Sequence, residues 1–89
     1  MFENEHILII GGTGSLGHHL VEAFLKFTNI KITIVSRDEN KQWLMRKLYP
    51  MLQFLLGDMR DSRRMKDVLI ITKPTIVIIA GAMKHMGYM

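Results

Sequence analysis

Cysteine is absent from the 89 residues, so neither a disulfide nor a thiolate metal site can supplement the core. That absence agrees with a reducing, cytoplasmic compartment. Proline occurs only at Pro50 and Pro74, which leaves long stretches free to form helix or strand. No apolar run approaches the ~18 residues of a membrane span. Glu3 and Glu5 stand where a signal peptide carries basic residues. These lacks describe a soluble protein without membrane contact. What is present is globular in kind: 48% of residues are hydrophobic, and the 22% that are charged are evenly scattered. A chain of this size buries only roughly 60–65% of its unfolded surface, enough for one small domain over residues 1–89. The net charge of +4 suits either nucleic acid or a ligand carrying several phosphates, and charge alone does not separate them.

His6-Ile7-Leu8-Ile9-Ile10 is a continuous apolar run that stops at Gly11-Gly12. Without alternation it reads as a strand buried on both faces, as in parallel sheets. From Ser15 the period changes: Leu16, Leu20, Ala23, Phe24 and Phe27 share one helical face, and Thr28-Asn29 ends the helix. Ile30 to Val35 is a β-branched strand in which Ile30, Ile32 and Ile34 alternate with Lys31 and Thr33. Asp38 is the expected cap of a second helix facing the core with Leu44, Leu48 and Trp43, and Pro50 stops it. A third strand over Met51–Leu56 closes at Gly57-Asp58. A third helix capped by Asp61 or Ser62 follows, with Met65, Val68, Leu69 and Thr72 inward. Pro74 separates it from a fourth strand, Thr75–Ala80. The alternation predicts an α/β, Rossmann-like three-layer fold: a four-stranded parallel sheet of order 3-2-1-4 with right-handed crossovers.

Chemistry concentrates after the first strand. Gly11, Gly14 and Gly17 in Gly11-Gly12-Thr13-Gly14-Ser15-Leu16-Gly17 have the spacing G-x-x-G-x-x-G. The first glycine permits the tight turn, the second lets backbone approach a pyrophosphate, and the third lets the helix pack closely on the sheet. The first-turn N–H groups then meet the phosphates, aided by the helix dipole. A glycine triplet alone is weak; between a buried strand and an amphipathic helix it becomes specific for a dinucleotide. A P-loop is excluded, because no Lys-Ser/Thr pair follows the last glycine.

The second strand ends Ser36-Arg37, where NAD binders carry an acid for the ribose 2′-OH. A hydroxyl followed by guanidinium favours a 2′-phosphate, with Ser36 donating, Arg37 pairing and Lys41 adding charge one turn on. Asp38 keeps NAD(H) open, and Arg37 and Lys41 also read as ordinary solvated residues. Asp58 can accept from an adenine amino group, or serve only the turn.

Taken together, Gly11 to Gly17, Ser36-Arg37-Asp38-Glu39, Gly57-Asp58-Met59-Arg60-Asp61 and Ala80-Gly81-Ala82-Met83-Lys84-His85 stand in a telling order. Over essentially the whole chain they resemble the N-terminal part of extended short-chain dehydrogenases/reductases. The resemblance is closest to the CapD-like polysaccharide-biosynthesis nucleotide-sugar dehydratases. It implies a cofactor, NADP(H) in preference to NAD(H), along Gly11, Thr13, Gly14, Ser15, Leu16 and Gly17, then Ser36, Arg37, Asp38 and Lys41. Asp58 and Met59 follow at the third strand, and Ala80, Gly81 and Ala82 pass toward the nicotinamide side with Lys84 near the active-site mouth. Ile10 stands where the family commonly has Thr. The family's Tyr-x-x-x-Lys pair has no counterpart: neither Tyr49 nor Tyr88 has Lys four residues later. The expectation is a cofactor-binding module without catalysis or catalytic residues of its own. The alternatives are half of a dehydratase or epimerase completed by another chain, or a structural remnant that has lost the cofactor.

Other features read more plainly. His18 and His19 are helix neighbours that cannot share a metal, so no metal site is expected. Arg60, Arg63, Arg64 and Lys66 read as a solvated helix start, with no motif for nucleic acid. The methionines at 83, 86 and 89 fit an adaptable contact surface or a disordered end equally. The fourth strand lies at the sheet edge with no charge, proline or glycine in Ile76–Ile79, which predicts a homodimer through that edge or the tail.

Overall fold

The β-branched and aliphatic run His6–Ile10 forms strand β1, and four of its five residues are buried, as a strand covered on both faces requires. A computed structural model describes residues 5–11, 13–27 and 30–80. After β1 come α1 (Ser15–Phe24), β2 (Lys31–Ser36), α2 (Glu39–Leu48), β3 (Gln53–Leu56), α3 (Ser62–Thr72) and β4 (Ile76–Ile79). The strands are parallel in the order β3-β2-β1-β4, with Ile7 beside Ile32 and Ile76, and Thr33 beside Gln53.

Side-chain alternation along β1 and β2 splits the core in two. Ile7, Ile9, Ile32 and Ile34 meet Val21 of α1 and Met45 of α2 on one face. Leu8, Ile10 and Val35 meet Val68 of α3 on the other. Helices on both faces are what right-handed crossovers produce when the chain first builds outward from β1 to β3 and then returns to β4.

Several expectations need correction. The inward line of α1 is Gly17, Leu20, Val21 and Phe24, while Leu16, Ala23 and Phe27 are exposed. The glycine sets this line, since a helix approaches a sheet most closely where it has no side chain. Phe27 lies beyond the helix, which ends at Phe24. In α2, Trp43, Leu44 and Leu48 are 56%, 57% and 64% exposed, and Gln42 and Met45 are buried instead. Gln42 turns the helix this way because its amide reaches the strand ends beneath it. Trp43 is covered on one side by the Lys47 ammonium, 3.6 Å from the ring centroid. On α3, Val68 and Thr72 are buried and Met65 half-buried, but Leu69 is exposed.

Strand β2 does not alternate, because both of its faces are covered. Thr33 is fully buried and satisfied: it donates to Gln53 Oε1 at 2.9 Å, and its oxygen lies 2.6 Å from His6 Nε2. Strand β3 begins at Gln53, two residues after the expected start at Met51, and β4 spans Ile76–Ile79, one residue shorter at each end than the expected Thr75–Ala80. The proposed helix end at Thr28-Asn29 lies outside the described residues, as does Gly12. Among the described residues every buried side-chain nitrogen and oxygen has a partner.

Candidate dinucleotide site

All the candidate groups that the structure describes gather at the carboxyl ends of the strands. The direction of winding reverses between β1 and β4, and in open α/β sheets the crevice at such a point is where ligands bind. Gly11 leaves β1 with φ of 79°, a left-handed conformation that favours glycine, and its N–H donates to Val35 O at 2.6 Å. This bond ties the turn to the end of β2.

Gly14 caps α1 with extended backbone, φ −85° and ψ −175°, and supplies no side-chain acceptor. The other two helices are finished differently. Asp38 accepts from Lys41 N at 3.0 Å, and Asp61 accepts from Arg64 N at 3.1 Å. The first turn of α1 also lacks any acidic residue, so its orphan N–H groups have no carboxylate of their own. A Cβ placed on Gly14 would have no heavy atom within 4 Å, so the space beside this residue is open. Thr13 is half-buried in the turn, Ser15 and Leu16 are exposed, and Gly17 is buried against the sheet.

At the end of β2, Ser36 is buried and oriented. Gln42 Nε2 donates to its hydroxyl oxygen at 3.0 Å, to its carbonyl at 3.3 Å and to Leu55 O at 2.8 Å. Gly57 N also donates to Ser36 O at 2.9 Å, which brings the end of β3 alongside. Gly57 is hemmed in: a Cβ there would lie 3.0 Å from Met65 Cε and 3.3 Å from Val35 Cγ1.

Arg37 extends into solvent with its side chain 68% exposed, and its Nη1 reaches Asp58 Oδ2 at 3.4 Å. Arg60 holds the same carboxylate more closely, with Nη2 to Oδ2 at 2.8 Å and Nε to Oδ1 at 3.1 Å. Its backbone N–H adds a bond to Oδ1 at 2.9 Å. These bonds from Arg60, side chain first, hold the Asp58 carboxyl well below the usual carboxylate range, with the charge of Arg37 contributing less. Asp58 is therefore an anion at neutral pH.

Lys41 is exposed on the first turn of α2, and Met59 packs half-buried against the cluster of Leu8, Ile10, Val35 and Val68. Ala80 N donates to Ile10 O at 2.8 Å, so the end of β4 lies beside the start of the glycine turn. Gly81, Ala82 and Lys84 lie outside the described residues. Sequence reasoning missed Gln42 and Arg60. Gln42 carried no signal, because a polar residue following Asn40-Lys41 in an amphipathic helix is ordinarily placed outward. Arg60 carried one: it stands two residues after Asp58, the spacing at which an Asp side chain bonds backbone in an Asx turn.

The chain matches the family described as polysaccharide biosynthesis protein over residues 7–89. It belongs to that family. It is 41% identical over 92 aligned positions to the UDP-N-acetylglucosamine 4,6-dehydratase (inverting) of Campylobacter jejuni, covering 96% of this chain and 26% of that protein. It is likewise 41% identical, over 75 positions, to the UDP-glucose 4-epimerase of Rickettsia bellii, covering 78% of this chain and 22% of the epimerase. The chain thus spans about a quarter of the length of these relatives. The Bordetella bronchiseptica enzyme WbmG, solved in complex with NAD, superposes with a TM-score of 0.72 at 25% identity, over 85% of this chain and 24% of WbmG. These sequence relatives are a nucleotide-sugar dehydratase and an epimerase, and the Rossmann-like topology is shared with WbmG. Among the described residues no helix is long and apolar enough to cross a membrane.

Proposed function

We propose that this chain is a dinucleotide-binding module of the nucleotide-sugar dehydratase and epimerase type, and that it prefers NADP(H). The observation that carries the reading is the open space around a Cβ position on Gly14, at a helix start without an acidic cap, with the Arg37–Asp58 pair at the carboxyl ends of β2 and β3. Gly11 and Gly14 would admit the pyrophosphate, and the N–H groups of the first turn of α1 would hold it. Thr13, Ser15 and Leu16 complete that turn, with Gly17 seating the helix. The bound nicotinamide would supply hydride exchange with a sugar carbon.

The 2′-phosphate preference rests on Ser36 and Arg37. The Ser36 oxygen accepts from Gln42, which leaves its own O–H to donate. Arg37 is exposed and always charged, and Lys41 stands one helical turn beyond it. Asp38, the acid that would favour NAD(H), has Oδ1 committed to the α2 cap. WbmG's NAD supports the dinucleotide class, and Arg37 supports the choice within it.

Neither tyrosine is followed by Lys at the fourth position, and Tyr49 donates to Glu22 Oε2 at 3.4 Å. We therefore assign cofactor binding to this stretch and proton transfer on the sugar to residues outside it, on the same or another chain. Gly14→Val tests the binding site. Its backbone conformation suits any residue and the added Cβ meets open space, so the variant should fold normally and lose dinucleotide binding. Unchanged binding by Gly14→Val would overturn the assignment.

A second proposal concerns β4. Val77 and Ile79 are 45% and 46% exposed on a strand that comes last in the sheet. Ile76–Ile79 itself carries no charge, proline or glycine, the usual protections of an edge strand. A second copy of the chain is the occupant that this reading assigns to it.

A further inference from the structure

We infer that Arg60 is a positioning residue for the 2′-phosphate: it holds Asp58 so that Arg37 is free to leave that carboxylate for the ligand. The inference rests on the NADP(H) reading and adds to it a residue that touches no part of the cofactor.

Two guanidinium groups share one carboxylate, and they share it unequally. Arg60 reaches both oxygens, with Nη2 at 2.8 Å from Oδ2 and Nε at 3.1 Å from Oδ1 and 3.3 Å from Oδ2. Its backbone N–H fixes Oδ1 from the same side at 2.9 Å. Arg37 makes a single bond to Oδ2 at 3.4 Å, at the outer limit of hydrogen bonding, from a side chain 68% exposed. The forked contact of Arg60 is the stronger. When a phosphate competes for these cations, Arg37 is the one released.

Charge leads to the same result. Asp58 with Arg37 alone would be a neutral pair, offering a 2′-phosphate little attraction and a nearby carboxylate to repel it. With Arg60 added, the trio carries +1, and the carboxylate is neutralised by the partner that stays. Departure of Arg37 also vacates an acceptor position on Oδ2, which an adenine amino group can take. The phosphate and the adenine thus exchange places with one weak ion pair.

The test is calorimetric titration of the whole chain with NADPH and with NADH, for wild type, Arg60→Gln, Arg60→Lys and the double variant Asp58→Asn/Arg60→Gln. Arg60 is exposed and Asp58 half-buried, and circular dichroism checks each fold. Arg60→Gln should lower the ratio of NADPH to NADH affinity by about three- to fivefold, since Asp58 then retains Arg37 with the strength of an exposed ion pair. Arg60→Lys should fall between that variant and wild type. The double variant should restore the ratio while binding both cofactors more weakly, because the adenine acceptor is altered. A purely structural role would weaken both cofactors alike, so an unchanged ratio in Arg60→Gln, or no recovery in the double variant, overturns the inference. Wild type that binds neither dinucleotide, or prefers NADH, overturns the NADP(H) reading and the inference together.

Discussion

The side-chain amide of Gln42 bridges two strand ends, donating to the Ser36 hydroxyl at 3.0 Å and to the Leu55 carbonyl at 2.8 Å. The residue is buried on α2, so these bonds replace water that cannot reach it. Gln42→Leu should cost about 1–3 kcal/mol of stability, because acceptors at Leu55 and Ser36 lose a partner inside the fold. Urea unfolding measures it. The same variant frees the Ser36 hydroxyl to rotate, so the preference for NADPH should narrow as well.

His6 makes stability depend on pH. Thr33 Oγ1, which donates to Gln53 Oε1 at 2.9 Å, lies 2.6 Å from His6 Nε2 and ties the imidazole into a partly buried polar row. Burial lowers the His6 pKa below the usual histidine value; the hydrogen bond to the Thr72 backbone opposes this, and the Lys31 charge assists it. The fold therefore favours the neutral ring. Its contribution is fully present above about pH 6.5 and is lost as the pH falls through the depressed folded value. Denaturation midpoints compared at neutral and mildly acid pH should show that loss, and His6→Gln should reduce it.

Lys73 ends α3 in the left-handed region, with φ of 47° and its N–H donating to Leu69 O at 2.9 Å. A side chain is strained there and glycine is not. Lys73→Gly should raise stability by about 0.5–1 kcal/mol, after glycine's greater freedom in the unfolded chain is subtracted. A thermal melt reads the change directly, and a lower melting temperature would contradict it.

The exposed Val77 and Ile79 bear on assembly. Sedimentation velocity at micromolar concentrations should show wild type self-associating, and Ile79→Lys should shift it toward monomer. A wild type that sediments cleanly as a monomer would contradict the edge-pairing proposal.

How far the sequence could be read depended on what kind of force placed each residue. The strand order, the ends of β1 and the Asp38 cap were legible, and Asp61 was one of two candidates for the α3 cap, because each follows from local chemistry: apolar runs, glycine turns, and carboxylates before helices. The inward faces of α1 and α2 were not. Counting apolar residues favoured Leu44 and Leu48 over Gln42, yet two strand carbonyls and a serine hydroxyl supply Gln42 with partners that only the assembled sheet provides. Thr33 was misjudged for the same reason. In the candidate site, the glycine turn was visible as spacing. The unequal sharing of Asp58 by Arg37 and Arg60 depends on the shape of the turn after β3, which no periodicity records.

The measurement that bears most directly on the central claim is parallel calorimetric titration with NADPH and NADH at one fixed salt concentration, for wild type and Arg37→Ala. The account predicts saturable binding of both cofactors, NADPH tighter, with that advantage lost when Arg37 is removed. Binding of neither dinucleotide would contradict the assignment of the glycine turn. Tighter binding of NADH would contradict the role given to Ser36 and Arg37.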